Sequence, residues 1–540
     1  MILILLGLRL GRWGLIGFSA AAFLSILAQT AGYYEIAGHT LAERAAFGAS
    51  MSALAAQFIA LFPAEIRPDT VGGFVEFRGF HPLAILLCVW ALVSATGFAR
   101  GDEERGVVEA TLATPTSRIA LVGSRAAAFT IAIAVASAAA CTAYVVAVAF
   151  GHETAELRGV LEDGVLLVAL GLAWYAISLF VAQLVHGRAA TAAAGGVMLG
   201  LFLLNSLSRV LQSLSAWRWI SPFRYYELSQ PLPPGGNFDI SGLLVLVAIA
   251  VAAAAAAALA FMRRDLGSSL IHFPARRRPV ILEPSANPFW RIPVVRGVYE
   301  RRLGLLAWSA GMAALAFVFV LLTRTIVNVL LSLPALLPYI SIFVHQQIYP
   351  AVLGYTWLNV AQLLFAALAI THVARWSAED VDGRLGMTLS QPFSRAAVVV
   401  ERMAILTVIA LVVSAVSGAV LFVNSHAQGI DLNAGRLVAA SLMLVPFALV
   451  FAGAGALLAA LAPRAAVGLL GAFAFASYLD IELATIFKLP AWLQDLSAFK
   501  LFGTPLLTGV DGRSLTLMVA LALAGLGSSI LLMQRRDVGA

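Results

Sequence analysis

Residues 100–118 read Arg-Gly-Asp-Glu-Glu-Arg-Gly-Val-Val-Glu-Ala-Thr-Leu-Ala-Thr-Pro-Thr-Ser-Arg, a charged island between two long apolar stretches. Residues 376–395 read Trp-Ser-Ala-Glu-Asp-Val-Asp-Gly-Arg-Leu-Gly-Met-Thr-Leu-Ser-Gln-Pro-Phe-Ser-Arg. At one constant offset, Gly106, Thr111, Leu112, Pro115, Ser117, Arg118 and Arg125 meet Gly383, Thr388, Leu389, Pro392, Ser394, Arg395 and Arg402. Seven identities in register argue for an internal duplication. A chain this apolar keeps such an island only where water or a partner solvates it.

The chain is 61% hydrophobic and 12% charged, with a mean hydropathy of +0.92. Soluble domains carry about a quarter charged residues, so the composition predicts an all-α polytopic membrane protein. The net charge of +7 does not point to nucleic acid, because the arginines gather at the ends of apolar segments, as topology signals do. Cys88 and Cys141 lie inside apolar runs and predict no disulfide framework.

Runs of about 20 apolar residues predict spans near 13–33, 82–98, 119–150, 164–185, 189–207 and 241–262. A second set follows near 304–323, 356–374, 396–424, 437–460, 465–484 and 514–533. About twelve transmembrane helices result, as two parallel repeats of six: a first unit at 1–265, a basic linker at 266–295 and a second unit at 296–540. Short entry helices precede each first span, at 1–12 and 290–303. A surface helix is expected near 47–61 and re-entrant segments before each last span, where Ser221-Pro-Phe in the first copy matches Ser497-Ala-Phe in the second. The arginine-rich linker and the endings Met262-Arg-Arg-Asp and Met533-Gln-Arg-Arg-Asp place these ends and both termini in the cytoplasm by the positive-inside rule.

Within the islands Val108, Thr111 and Leu112, and likewise Val381, Leu385, Thr388 and Leu389, fall on one helical face. Asp102, Glu103, Glu104 and Glu109, and Glu379, Asp380 and Asp382, surround them. A short acidic amphipathic helix is predicted at about 100–116 and another at about 377–393. Topology favours arginine inside and says little about acids, so two matching acidic helices read as a docking surface.

The segment Glu103-Glu104-Arg105-Gly106-Val-Val-Glu109 through Arg118 resembles the coupling segment after the second span of ABC type-2 permeases, the membrane subunits of ATP-driven exporters. The resemblance covers the whole chain as two fused units, similar to the fused permeases linked with export of polyether and other polyketide antibiotics. It implies that Asp102, Glu103, Glu104, Arg105, Gly106, Glu109, Glu379, Asp380, Asp382 and Arg384 couple to an ATPase. The second island departs from the pattern, with Val381 where Glu104 stands and Asp382 where Arg105 stands, which implies asymmetry.

A phosphate-binding loop needs Gly-Lys-Ser/Thr, and the only lysines, Lys488 and Lys500, follow phenylalanines. No cofactor is expected in this chain. ATP and magnesium are expected in a partner, two copies of a cytoplasmic ATPase, one per island. A pathway between the halves, lined by apolar and small side chains with Gln183, Asn205, Asn359, Gln362 and Ser477 as its modest polar exceptions, suits a hydrophobic substrate such as a drug, antibiotic or lipid-like molecule, moved outward across the cell membrane in contact with membrane lipid. The rival is a self-contained carrier of the major-facilitator kind, which usually places acids in its spans. Here Glu35, Asp480 and Glu482 sit near span ends. An enzyme is disfavoured, because His152, His186, His345 and His372 form no ligand pair at helical spacing.

Overall fold

The computed structural model describes residues 2–57, 63–185, 187, 189–209, 211–271, 288–332, 348–487, 490–494 and 497–536. Most of the linker, the corner residues His186 and Arg188, and Pro334, Pro338, His345 and Lys488 lie outside them. Among the described residues no strand forms beyond one isolated bridge, Gln230 to Asn237. Among the described residues eleven helices are long and apolar enough to cross a membrane. The twelfth expected span, 465–484, is the helix Ala466–Phe487, whose described apolar part is the shorter Ala466–Ile481. The chain divides into two compact units, Met1–Arg278 and Pro279–Ala540.

The first unit runs α1 (Ile2–Ile36), the surface helix α2 (Leu41–Gln57), α3 (Val71–Glu104), the short α4 (Val107–Leu112), α5 (Arg118–Phe150), α6 (Leu157–Leu184), α7 (Ala189–Leu207), the short α8 (Pro222–Tyr226) and α9 (Ile240–Arg263). The second runs α10 (Pro293–Glu300), α11 (Arg302–Ser332), α12 (Ile348–Val381), the short α13 (Arg384–Leu389), α14 (Arg395–Ala427), α15 (Ala434–Leu461), α16 (Ala466–Phe487), the short α17 (Ala491–Gln494), α18 (Ala498–Phe502) and α19 (Pro505–Thr508), and α20 (Gly512–Arg535). Helices α4, α5 and α6 recur as α13, α14 and α15 with both ends displaced by the same 277 residues.

The matching boundaries have matching local causes. Gly106 and Gly383 both take left-handed backbone, with φ of +71° and +73°, and so stop the preceding span where other residues would be strained. Ser117 and Ser394 then cap the next helix, each hydroxyl accepting a 3.1 Å bond from the amide three residues on. Asp239 and Asp511 do the same for the last spans. Replacing Ser117 or Ser394 by Ala is expected to cost about 1 kcal/mol, read as a lowered midpoint of thermal unfolding in detergent.

Three expectations about boundaries need correction. The second spans, expected at 82–98 and 356–374, are the much longer α3 and α12. Thr70 caps α3 at its start by accepting from the Gly73 amide, and a π-helical turn at Glu76–Phe80 carries the helix through charges that resemble a loop in sequence. A similar π turn at Gly354–Leu358 lies in α12. Third, the entry segment at 1–12 is not separate: α1 is one 35-residue helix. Only the second unit breaks, at Arg301 between α10 and α11.

Each unit has its own buried core, around Trp174, Tyr33 and Phe80 in the first and Phe365, Phe447 and Phe451 in the second. The segments before the last spans are pinned by rings. Phe223 packs on Trp174 at 5.3 Å, and Phe499 packs on Phe451 at 5.9 Å. The two rows of residues matched in sequence therefore occupy matched contacts.

Candidate functional site

At each island the end of the second span, the start of the third and the end of the last are tied by arginines. Arg118 donates to the Phe261 and Arg264 carbonyls at 2.8 and 2.7 Å, closing the C-terminus of α9. Arg395 does the same for α20, donating to the Met533 carbonyl at 2.8 Å and to Arg536. A cation over exposed last-turn carbonyls satisfies both their hydrogen bonding and the helix dipole.

The acids answer these arginines. Asp102 accepts from Arg105 at 2.6 Å and from Arg125 at 2.9 Å. Glu103 takes the Arg264 guanidinium through both oxygens, at 2.8 and 2.7 Å, with Arg100 and the Gly267 amide as further donors. Arg264 also reaches Gln183 at 2.7 Å, and Arg100 the Ala182 carbonyl at 2.7 Å. In the second unit Glu379 pairs with Arg402 at 2.7 Å and Asp380 with Arg536 at 2.6 Å. The pairs Asp102–Arg125 and Glu379–Arg402 are equivalent, as are Glu103–Arg264 and Asp380–Arg536.

The island acids therefore divide into two sets. Asp102 and Glu103 are buried, and Asp380 keeps only 8% of its side chain exposed. They brace the bundle and face inward, which corrects their expected place on an open surface. Glu104, Arg105 and Glu109, and Asp382 and Arg384, are exposed beside the glycine turns. The arginines Arg118, Arg264, Arg395 and Arg536 escaped the sequence reading as site residues. The repeated basic ending of the last spans was their signal, but it carries a topological meaning as well.

The two polar span residues of the first unit do not share a site. Gln183 belongs to the Arg264 brace. Asn205 lies at the opposite end of the bundle, donating to Glu227 at 2.9 Å, where Arg209 also pairs with Glu227. In the second unit Gln362 and Ser477 are buried, the Ser477 carbonyl accepting from Ser497 at 2.6 Å, and Asn359 is half-buried.

Each unit carries a cavity at its island end. The first, of about 570 Å³, lies among α1, α3 and α5, with Leu15, Phe18, Trp90 and Phe129 as walls and the Asp102–Arg125 pair at one end. The second, of about 400 Å³, is lined by Leu303, Trp308, His372, Arg301 and Arg375. Burial pushes the Arg301 guanidinium down from its ordinary value, and the neighbouring Arg375 adds to the effect. Both volumes are of the size that takes a drug-like molecule.

At the opposite end of the first unit, burial pushes the Glu65 carboxyl up to about 7, with Arg78 pulling the other way. A group raised in the folded state stabilises below its unfolded value, and that stability is lost as pH rises through about 7. Unfolding midpoints are therefore expected to fall between about pH 5 and pH 8, and Glu65→Gln to remove that part of the slope.

Residues 11–266 match the family described as ABC-2 family transporter protein. Residues 298–532 match the one described as Multidrug efflux system permease Rv1217c, C-terminal domain. No curated protein matches the chain.

Proposed function

The chain is an ABC-2 type transporter permease, matched over both halves, and from that premise we propose that it is the membrane part of an ATP-driven exporter powered by two copies of a separate ATPase. The observation that carries this reading is the repeated elbow: a glycine turn, a six-residue helix and a capped span, held in each unit by the same arginine braces. A motor pushing on α4 or α13 meets a rigid lever, because the buried pairs transmit the push to the second, third and last spans together. The exposed residues Glu104, Arg105, Glu109, Asp382 and Arg384 are the contact points, and Asp102, Glu103, Glu379 and Asp380 act behind them. This reading places the islands and both termini in the cytoplasm, in accord with the basic endings of the last spans.

The larger cavity at the island end of the first unit, walled mainly by Leu15, Phe18, Trp90 and Phe129, favours a hydrophobic substrate entering from the inner leaflet. The expected result is that the purified chain alone neither binds nor hydrolyses ATP. Reconstituted in liposomes with an ATPase carrying a phosphate-binding loop, it exports substrate only when ATP is supplied. Export by the isolated chain under a proton gradient would overturn the proposal and favour the carrier.

A further inference from the structure

Two acids that the sequence suggests are surface residues lie in the packed interior of the first unit. Glu76 is 2% exposed and Asp163 is fully buried, and they stand close enough to repel one another. Oε1 of Glu76 and His81 Nε2 have no hydrogen-bond partner, and the oxygens of Asp163 make no hydrogen bond of good geometry, their nearby donor being the Tyr226 hydroxyl turned toward them. Tyr226 is 3% exposed and His81 5% exposed, with their rings 5.6 Å apart. Among the described residues no arginine or lysine pairs with either acid. Other titratable groups turned toward the cluster are Cys88 on α3, Cys141 and Tyr144 on α5, and Glu227, which Arg209 already neutralises.

The site is sealed by backbone. The Leu232 amide donates to Glu76 Oε2 at 3.3 Å. One helical turn before each acid stands a glycine, Gly72 before Glu76 and Gly159 before Asp163. A Cβ on Gly72 would lie 2.4 Å from the Leu232 oxygen, and one on Gly159 would lie 2.3 Å from the Pro231 oxygen. The loop thus rests on both helices directly above the acids. Glu76 also opens the π turn of α3, a device that recurs at functional positions.

The fold does not need these acids. At the same 277-residue offset the second unit has Leu353 and Ala440, both fully buried in matching helices. Two ionised carboxylates facing each other in a dry interior without a cation are prohibitively costly. We propose that Glu76 and Asp163 form a proton-binding site at the end of the first unit opposite the island, closed by the Pro231–Leu232 loop and exchanging its proton with water when that loop lifts. Proton binding fits the packing, since the loop leaves no room for a substrate. A metal ion is disfavoured, because no group of three or more ligating side chains is arranged to hold one among the described residues. The proton sits on one of the two carboxyl groups and leaves to water; no bond between heavy atoms changes.

The test uses the full chain in lipid nanodiscs, in a Glu65→Gln background that silences the titration described above. Infrared difference spectra should show a protonated carboxyl C=O band at neutral pH that disappears in Asp163→Asn with Glu76→Gln. The pair Glu76→Leu with Asp163→Ala, which installs the second unit's residues, should fold and should flatten the fall of the unfolding midpoint with rising pH. Gly159→Ala, which pushes the loop away, should make the C=O band titrate at lower pH than in the parent. The proposal is overturned if the band survives the double variant, if the pH slope is unchanged in the pair that mimics the second unit, or if Gly159→Ala leaves the band's titration where it was. A midpoint that rises when sodium replaces choline at fixed pH would also overturn it, by assigning the site to a metal cation.

Discussion

Glu103→Gln is expected to destabilise the first unit by about 3–5 kcal/mol, the cost of leaving a buried charge without its partner. Arg264 keeps only 1% of its side chain exposed and Glu103 only 4%, so no water replaces the lost charge. The neutral amide still fills the space, but it can accept through only one oxygen where the carboxylate used two, and its NH2 group faces guanidinium donors. Arg100 loses the same counter-charge. Glu104→Gln, one residue on and exposed, is the control and should leave stability within about 0.5 kcal/mol. Chemical unfolding of the two variants in one detergent separates them. Because Glu103 joins α3 to the end of α9, its loss is also expected to uncouple any partner's hydrolysis from export even at temperatures where the protein stays folded.

The second large effect is steric. Helices α15 and α20 cross at Gly453 and Gly525, and a Cβ on Gly525 would sit 2.5 Å from the Gly453 carbonyl carbon and 2.8 Å from its Cα. Those neighbours are backbone and cannot swing aside. Small residues let helices approach this closely in a membrane, and overpacking a tight contact costs about 1–3 kcal/mol, sometimes more. Gly525→Leu is therefore expected to force the last span off the fourth and to lower the unfolding midpoint well beyond the loss of a cap. Gly527→Leu, where an added Cβ meets nothing within 4 Å, should be nearly silent. If the two variants melt alike, the crossing is not what holds α20.

Much of this architecture is legible in the residues alone. The duplication, the glycine turns, the serine caps and the ring-bearing segments before the last spans follow from local chemistry that the chain repeats. The roles of the island acids do not. Asp102, Glu103 and Glu104 are neighbours with the same charge, and which of them turns inward depends on Arg264, Arg100 and Arg125. Arg264 lies 161 residues from Glu103 in the chain. Glu76 and Asp163 were hidden for a related reason. A charge near the end of an apolar run looks like the edge of a span, and only Thr70, the π turn and the loop at Pro231 show that the helix continues around it. Two of the polar residues expected to line a pathway take partners that the sequence does not reveal, Gln183 with Arg264 and Asn205 with Glu227, because a buried amide in an apolar bundle takes the nearest partner.

Site-specific cross-linking from the two islands tests most directly whether a motor engages them. Native Cys88 is buried and Cys141 half-buried, so single cysteines at Glu104 and at Asp382 can be labelled selectively. In membranes holding the chain and its ATPase, both positions should cross-link to a protein with a phosphate-binding loop, and a cysteine at Gly235, at the opposite end, should not. Cross-linking from Gly235 with none from either island would contradict the proposed coupling outright.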